Sequence, residues 1–250
     1  MIRTLAIIAA AGFVLCLGAL SAAVGLAGGS KGLHDKITQF AKEMDIQIET
    51  EAGDEIILGV AEGPSVTRKL AWDGTDTLEI DAFADVTYVQ GPARTVSLEG
   101  PAALLDKITI KDGRIDFEGG RWKGGALKVV IEAPGVSHFD MGGVQDLKIT
   151  GYDQDTLEVN LSGAGRVTAT GKTRKASLAI SGTGAANLAA LEMDEAEVDL
   201  SGAGKATLGP KQSAKIDVSG IGEVELTRRP AQLEQNISGA GRVSQPGLPG

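Results

Sequence analysis

Five evenly spaced copies of Ser-Gly-x-Gly constrain this chain more than anything else in its 250 residues. They are Ser162-Gly163-Ala164-Gly165, Ser181-Gly182-Thr183-Gly184, Ser201-Gly202-Ala203-Gly204, Ser219-Gly220-Ile221-Gly222 and Ser238-Gly239-Ala240-Gly241. Successive serines lie 19, 20, 18 and 19 residues apart. A period near twenty marks a solenoid in which each repeat makes one turn of the chain.

Aligning the copies on their serines exposes apolar columns. One residue before stand Leu161, Ile180, Leu200, Val218 and Ile237; three before stand Val159, Leu178, Val198 and Ile216, with Gln235 breaking the column. Five before come Leu157, Ala176, Ala196, Ala214 and Leu233, and the residues between are mostly polar or small. Past the corner, Val167, Ala186, Ala206, Val224 and Val243 line up, followed by Ala169, Leu188, Leu208 and Leu226. Period-two alternation of this kind makes strands with one buried face. Each repeat reads as strand, glycine corner and strand. A variable connection follows, carrying Gly171, Gly209-Pro210 or Arg229-Pro230.

Strands this short bury nothing alone. Stacked in parallel about 4.8 Å apart they satisfy their backbones and join the columns into one core. The expected fold is therefore all-β, a single-stranded parallel β-helix with coils of about 19 residues, preceded by an N-terminal hydrophobic helix. The glycines are expected to supply positive φ where the strand turns sharply. An aromatic content of only 4% suits a narrow interior.

Residues 4–29 contain no charged side chain, with Arg3 before them and Lys31 after. Two readings compete: a signal peptide cut near Ala23 or Ala27, and an uncleaved membrane anchor, for which the run is long enough. The anchor is favoured, and Arg3 on the cytoplasmic side places the solenoid outside the cytoplasm either way. Phe13-Val14-Leu15 before the single cysteine, Cys16, lacks the small residue of a lipidation site. Residues 30–45 have Leu33, Ile37, Phe40, Ala41 and Met44 at helical spacing, and 45–67 read as a strand pair or a linker. The expected divisions are 1–29 signal peptide or anchor, 30–67 linker or cap, 68–245 β-helix and 246–250 tail. That tail is expected to stop the repeat and shield its last edge.

Between 78 and 150 the pattern is present but irregular. Leu78, Ile80, Val86 and Tyr88 flank a corner in which Asp81-Ala82-Phe83-Ala84 replaces the glycines. Ile108, Ile110, Ile115 and Phe117 surround an Asp112-Gly113 turn. Phe139, Met141, Leu147 and Ile149 fall into the repeat register around Gly142-Gly143-Val144-Gln145. The region reads as wider coils leading into the regular ones.

The opening coil, the Leu127–Pro134 strand ending in Pro-Gly, and the repeated Ser-Gly-x-Gly followed by Val or Ala resemble the head GIN domain family. Its members are labelled auto-transporter adhesins. The match covers about residues 68–243. The resemblance implies a β-helical domain on secreted or envelope proteins of bacteria, and it brings no catalytic residues.

A net charge of −9 argues against nucleic acid as a partner. Asp199 and Asp217 share an outward column flanked by Asn160 and Asn236, read as a solvated polar face. No third acid aligns with them. Calcium-binding nonapeptide rolls need an aspartate where this repeat has Val167, Ala186, Ala206, Val224 and Val243. A dinucleotide fingerprint needs a helix after its glycines. His34 and His138 show no matching nucleophile, the sequons at Asn160 and Asn236 follow from the repeat itself, and Trp72, Trp122, Tyr88 and Tyr152 read as packing residues. No catalytic, cofactor or metal residue is nominated. The expectation is a non-enzymatic, extracytoplasmic envelope module, joined to the membrane by its N-terminal segment. It presents a sheet face to an envelope component or to another copy of itself. The rivals are an enzyme acting on polysaccharide, favoured by a charged cluster near Asp81, Asp85 and Asp116, and a structural spacer.

Overall fold

The corners stack in one file. In the computed structural model, which describes residues 65–74, 76–117 and 127–246, Ala164 pairs in parallel with Thr183, Thr183 with Ala203, Ala203 with Ile221, and Ile221 with Ala240. The two degenerate corners join the same file, Asp81-Ala82-Phe83-Ala84 lying against Gly142-Gly143-Val144-Gln145, and Val144 against Ala164. The solenoid is a parallel β-helix, as the period requires.

Its elements are β1 (Ser65–Ala71), β2 (Thr77–Gln90), β3 (Thr95–Pro101), the one-turn helix α1 (Ala102–Leu105), β4 (Ile108–Lys111), β5 (Arg114–Phe117), β6 (Leu127–Ala133) and β7 (His138–Leu161). There follow β8 (Ala164–Ile180), β9 (Thr183–Leu200), β10 (Ala203–Leu208), β11 (Pro210–Val218), β12 (Ile221–Leu226), β13 (Gln232–Ile237) and β14 (Ala240–Ser244). Strands β7, β8 and β9 run on through the connection between corners. The later turns break there, at Gly209-Pro210 and Arg229-Pro230, because proline has no N–H to give the ladder. The apolar columns are the core: Leu161, Ile180, Leu200 and Val218 are all at most 2% exposed, as are Val159, Leu178, Val198 and Ile216. Both columns open only at the last coil, where Gln235 and Ile237 are exposed.

The glycines hold their places for a reason other than the expected one. No glycine of the five Ser-Gly-x-Gly corners has positive φ. What each lacks is room. A Cβ on Gly202 would stand 1.9 Å from the Gly182 carbonyl oxygen, and one on Gly182 would stand 1.8 Å from that of Gly163. The corners nest backbone on backbone, so any side chain would drive the coils apart. Left-handed backbone does occur in the file, but at the degenerate corner, where Gly143 has φ +76°.

The first half is not a simple run of wider coils. Strand β2 lies between β7 on one side and β5 and β6 on the other, all parallel to it. Strands β5 and β6 thus lie outside β2 although they follow it in sequence. Beyond them the direction reverses: β3 is antiparallel to β6, β1 to β3, and β4 to β5 across Asp112 and Gly113, both with positive φ. Leu104 and Leu105 of α1 are buried against this end, and Arg68 Nη1 donates to the Leu105 carbonyl at 2.7 Å. A cap of antiparallel strands closes the solenoid where it begins.

All the described residues belong to one compact unit, Asp54–Gly250. Among them no helix is long and apolar enough to cross a membrane. The expected N-terminal helix, the 30–45 segment and residues 247–250 of the tail lie outside the described residues.

Candidate functional site

The connections between corners carry the most organised surface chemistry. Strands β7, β8, β9 and β11 each pass this flank and each brings a charged side chain to it: Asp153, Lys172 and Glu192 in one file, and Lys211 beside that file, because its neighbour Pro210 pairs with Met193. Asp153 lies in register with Lys172 and Lys172 with Glu192. Lys172 Nζ is 3.1 Å from Asp153, and Lys211 Nζ is 3.1 Å from Glu192. The signs alternate coil by coil. Alongside, Arg174 reaches Glu195 at 3.2 Å.

Local structure fixes this ladder from beneath. Gly171, at φ +125°, turns the chain where a Cβ would meet the Tyr152 carbonyl oxygen at 2.2 Å. Thr173 and Met193 are buried, so the residues on either side of each point outward. Gln90 bonds both backbone groups of Asp153, accepting from its N–H at 2.7 Å and donating to its carbonyl at 3.1 Å. The ladder borders a shallow cleft of ≈ 360 Å³ that also takes in Gln154, Asp155 and Asp194. Rigid backbone, alternating charge and a shallow polar hollow make a surface for recognition by hydrogen bonds.

A second group stands on β7. Ser137 Oγ is 2.9 Å from His138 Nδ1, and His138 Nε2 is 3.4 Å from Glu158. The sequence offers His138 no distant serine in a recognisable constellation; its partner is the residue immediately before it. The order serine, imidazole, carboxylate is that of an activated nucleophile. Acyl transfer also needs N–H donors aimed at a developing oxyanion. Here the N–H groups of Ser137 and His138 both donate to the Asp76 carbonyl, at 2.8 and 3.1 Å.

Residues 76–230 match the family described as "Putative auto-transporter adhesin, head GIN domain". The chain belongs to the head GIN domain family. A crystal structure of a putative adhesin from Bacteroides fragilis shares the fold at 18% identity and a TM-score of 0.57, covering 72% of this chain and 96% of that one. A putative adhesin from Parabacteroides distasonis is 17% identical with a TM-score of 0.49, covering 74% and 98%. A comparison with curated proteins gives no match.

The other residues singled out in this head GIN domain are dispersed or buried. Asp199 and Asp217 are opposite each other on β9 and β11, with Asn236 next in the file. Asn160 is in the same file, separated from Asp199 by Ala179, and bonds Asp140 at 2.7 Å. Of the three acids near the irregular coils, Asp116 shares Arg114 with Glu79, each at 2.9 Å. Asp81 acts electrostatically on the same Arg114, whereas Asp85 stands in another file between Lys128 and Asp146, so the three do not all converge. Tyr88, Tyr152 and Trp72 are core residues. Tyr88 packs edge-on to Phe139 at 5.3 Å and donates to the Ala133 carbonyl at 3.0 Å, while Tyr152 donates to the Thr156 carbonyl. Trp122 and His34 lie outside the described residues. The charged ladder escapes a reading built on the corners, yet its signal is in the sequence. Its four residues recur at 19, 20 and 19, the period of the corners.

Proposed function

We propose that the chain is a non-enzymatic module of the bacterial cell envelope, held outside the cytoplasm by its N-terminal segment, that binds a partner through the charged flank of its β-helix. The observation that carries this reading is the Asp153–Lys172–Glu192–Lys211 ladder beside its cleft. Asp153, Lys172 and Glu192 stand at the constant step of stacked strands, about 4.8 Å, and Lys211 extends the alternation by pairing with Glu192. Such spacing suits an extended, repeating, uncharged polar ligand, whose hydroxyl groups bond carboxylate and ammonium alike. An envelope glycan has that chemistry. A polyanion does not, because a net charge of −9 opposes it. The adhesin description of the family and of the Bacteroides fragilis relative agrees with a binding role.

The test is retention of the purified full chain on isolated envelope polysaccharide. The double variant Lys172→Glu with Lys211→Glu turns the alternating ladder wholly acidic at exposed positions. Retention should fall at least about tenfold with an unchanged circular dichroism spectrum, and undiminished retention would sink the reading. The same samples, assayed for new reducing ends, separate binding from cleavage. Release would favour a polysaccharide-acting enzyme instead. Mass analysis of the chain recovered from membranes should show an intact Met1; cleavage near Ala23 or Ala27 would make it a released protein.

A further inference from the structure

The two ends of the solenoid are finished differently. Where it begins, antiparallel β1, β3 and β4 follow the outermost coil, and the edges left on β1 and β4 carry Arg68, Lys69 and Lys111. Where it ends, β13 pairs with β11 and β14 with β12, and neither has a further partner among the described residues. The last coil thus offers a row of free N–H and C=O groups, the usual template for pairing with another chain. Proteins blunt such edges with lysine, arginine or proline, and Gln232–Ile237 contains none of them.

The strand has instead a pattern symmetric about its middle. Gln235 occupies the inward column held by Val159, Leu178, Val198 and Ile216 in earlier coils. Leu233 and Ile237 keep the inward column apolar on either side, with Ile237 39% exposed. Glu234 and Asn236 flank Gln235 on the outward face. A carboxamide carries both donor and acceptor, so an identical carboxamide opposite satisfies it, whereas an apolar cover would strand it.

We propose that a second copy of this chain closes the open end, the two β13 strands pairing antiparallel about a twofold axis through Gln235. Directly opposed residues in an antiparallel pair point to the same side. Leu233 then meets Ile237 of the second copy, Gln235 meets Gln235, and Glu234 meets Asn236. The only charge in the strand faces an amide rather than its twin. Moving the axis to Glu234 would oppose two carboxylates, which is destabilising. The edge strands at the opposite end, β1 and β4, carry Arg68, Lys69 and Lys111, which discourage edge pairing, so association stops at a closed dimer rather than a fibre. The inference does not depend on what the charged flank binds.

Register-specific cross-linking tests it, using the full chain with Cys16→Ser in mild detergent on account of its apolar residues 4–29. Opposed residues have Cα atoms about 4.5–5.5 Å apart, inside the range a disulfide spans. Under mild oxidation Gln235→Cys should form a covalent dimer. Glu234→Cys and Asn236→Cys should each stay monomeric alone and cross-link when mixed. In sedimentation the unmodified chain should have twice the mass of Gln235→Lys, with the same circular dichroism. A monomeric unmodified chain would overturn the proposal, whether the edge is bare or covered by residues 1–64 or 247–250. So would a dimer that persists in Gln235→Lys, or equal self-cross-linking at 234, 235 and 236.

Discussion

At the scale of single residues, glycine serves two separate purposes in this chain. In the Ser-Gly-x-Gly corners it permits contact: at the first glycine of each corner the carbonyl of the coil beneath occupies the volume a Cβ needs. At Gly151 it permits a conformation instead, with φ +67° and nothing within 4 Å of where a Cβ would stand. The two separate under mutation. Gly202→Ala should cost at least the upper part of the ~1–3 kcal/mol typical of overpacking. Gly151→Asn, which tolerates left-handed backbone, should cost only a few tenths. Denaturant midpoints of both variants give the comparison, and equal losses would return the corners to the positive-φ explanation. The buried tyrosines make a further residue-level prediction. Burial holds the Tyr88 and Tyr152 hydroxyls above their ordinary value. A group whose pKa is raised by folding stabilises fully below its unfolded value, about 10. That contribution is lost as pH climbs toward the folded value. Stability should therefore fall above about pH 10, and less so in Tyr152→Phe.

At the scale of elements, the strands are joined by columns inside and by ion pairs outside, and the two contributions differ in size. Leu200 is fully buried in a column continued by Ile180 below and Val218 above. Leu200→Ala should cost roughly 2–5 kcal/mol, and a loss under about half a kcal/mol would contradict its place there. The inter-coil ion pairs are exposed, and such pairs are worth about 0–1 kcal/mol each. Glu197 is the best placed, taking Lys175 from the coil before at 2.9 Å and Lys215 from the coil after at 3.1 Å. Those two hydrogen bonds hold its carboxyl below the usual range. A carboxyl depressed by folding stabilises above its unfolded value and stops doing so as pH falls through the folded one. The stability difference between the unmodified chain and Glu197→Gln should be largest near neutrality and vanish in acid. A gap that persists in acid strong enough to protonate the folded carboxyl would assign it to packing.

At the scale of the whole solenoid, coils should be interchangeable units. Excising residues 183–202 joins Gly182 to Ala203 and preserves every column, since Thr183 and Ala203 occupy the same place after Ser-Gly in the repeat. The shortened chain should fold with its β spectrum intact and melt cooperatively at a lower temperature, having lost one interface. Excising residues 183–192 removes half a coil, puts the columns out of register and should abolish the transition. Identical behaviour of the two deletions would mean that stacking register is not what holds the molecule together.

The sequence by itself determined the coil. Period-two alternation fixed which residues face inward, and the spacing of the serines fixed which of them share a column. Both are local properties repeated many times, which is why even the degenerate corners at Asp81 and Gly142 were legible. The packing role of Tyr88 and Tyr152 was legible too. The order of the first half was not, because Val96 and Leu98 alternate identically whether their strand pairs parallel or antiparallel. Only the tertiary structure decided that β3 reverses and that β5 and β6 lie outside β2, since pairing depends on partners about thirty residues away. The true reason for the corner glycines was hidden for a related cause: the colliding oxygen belongs to the preceding coil, about twenty residues earlier in the chain. Local pattern sets what each residue faces, and the stacking of distant segments sets what it touches.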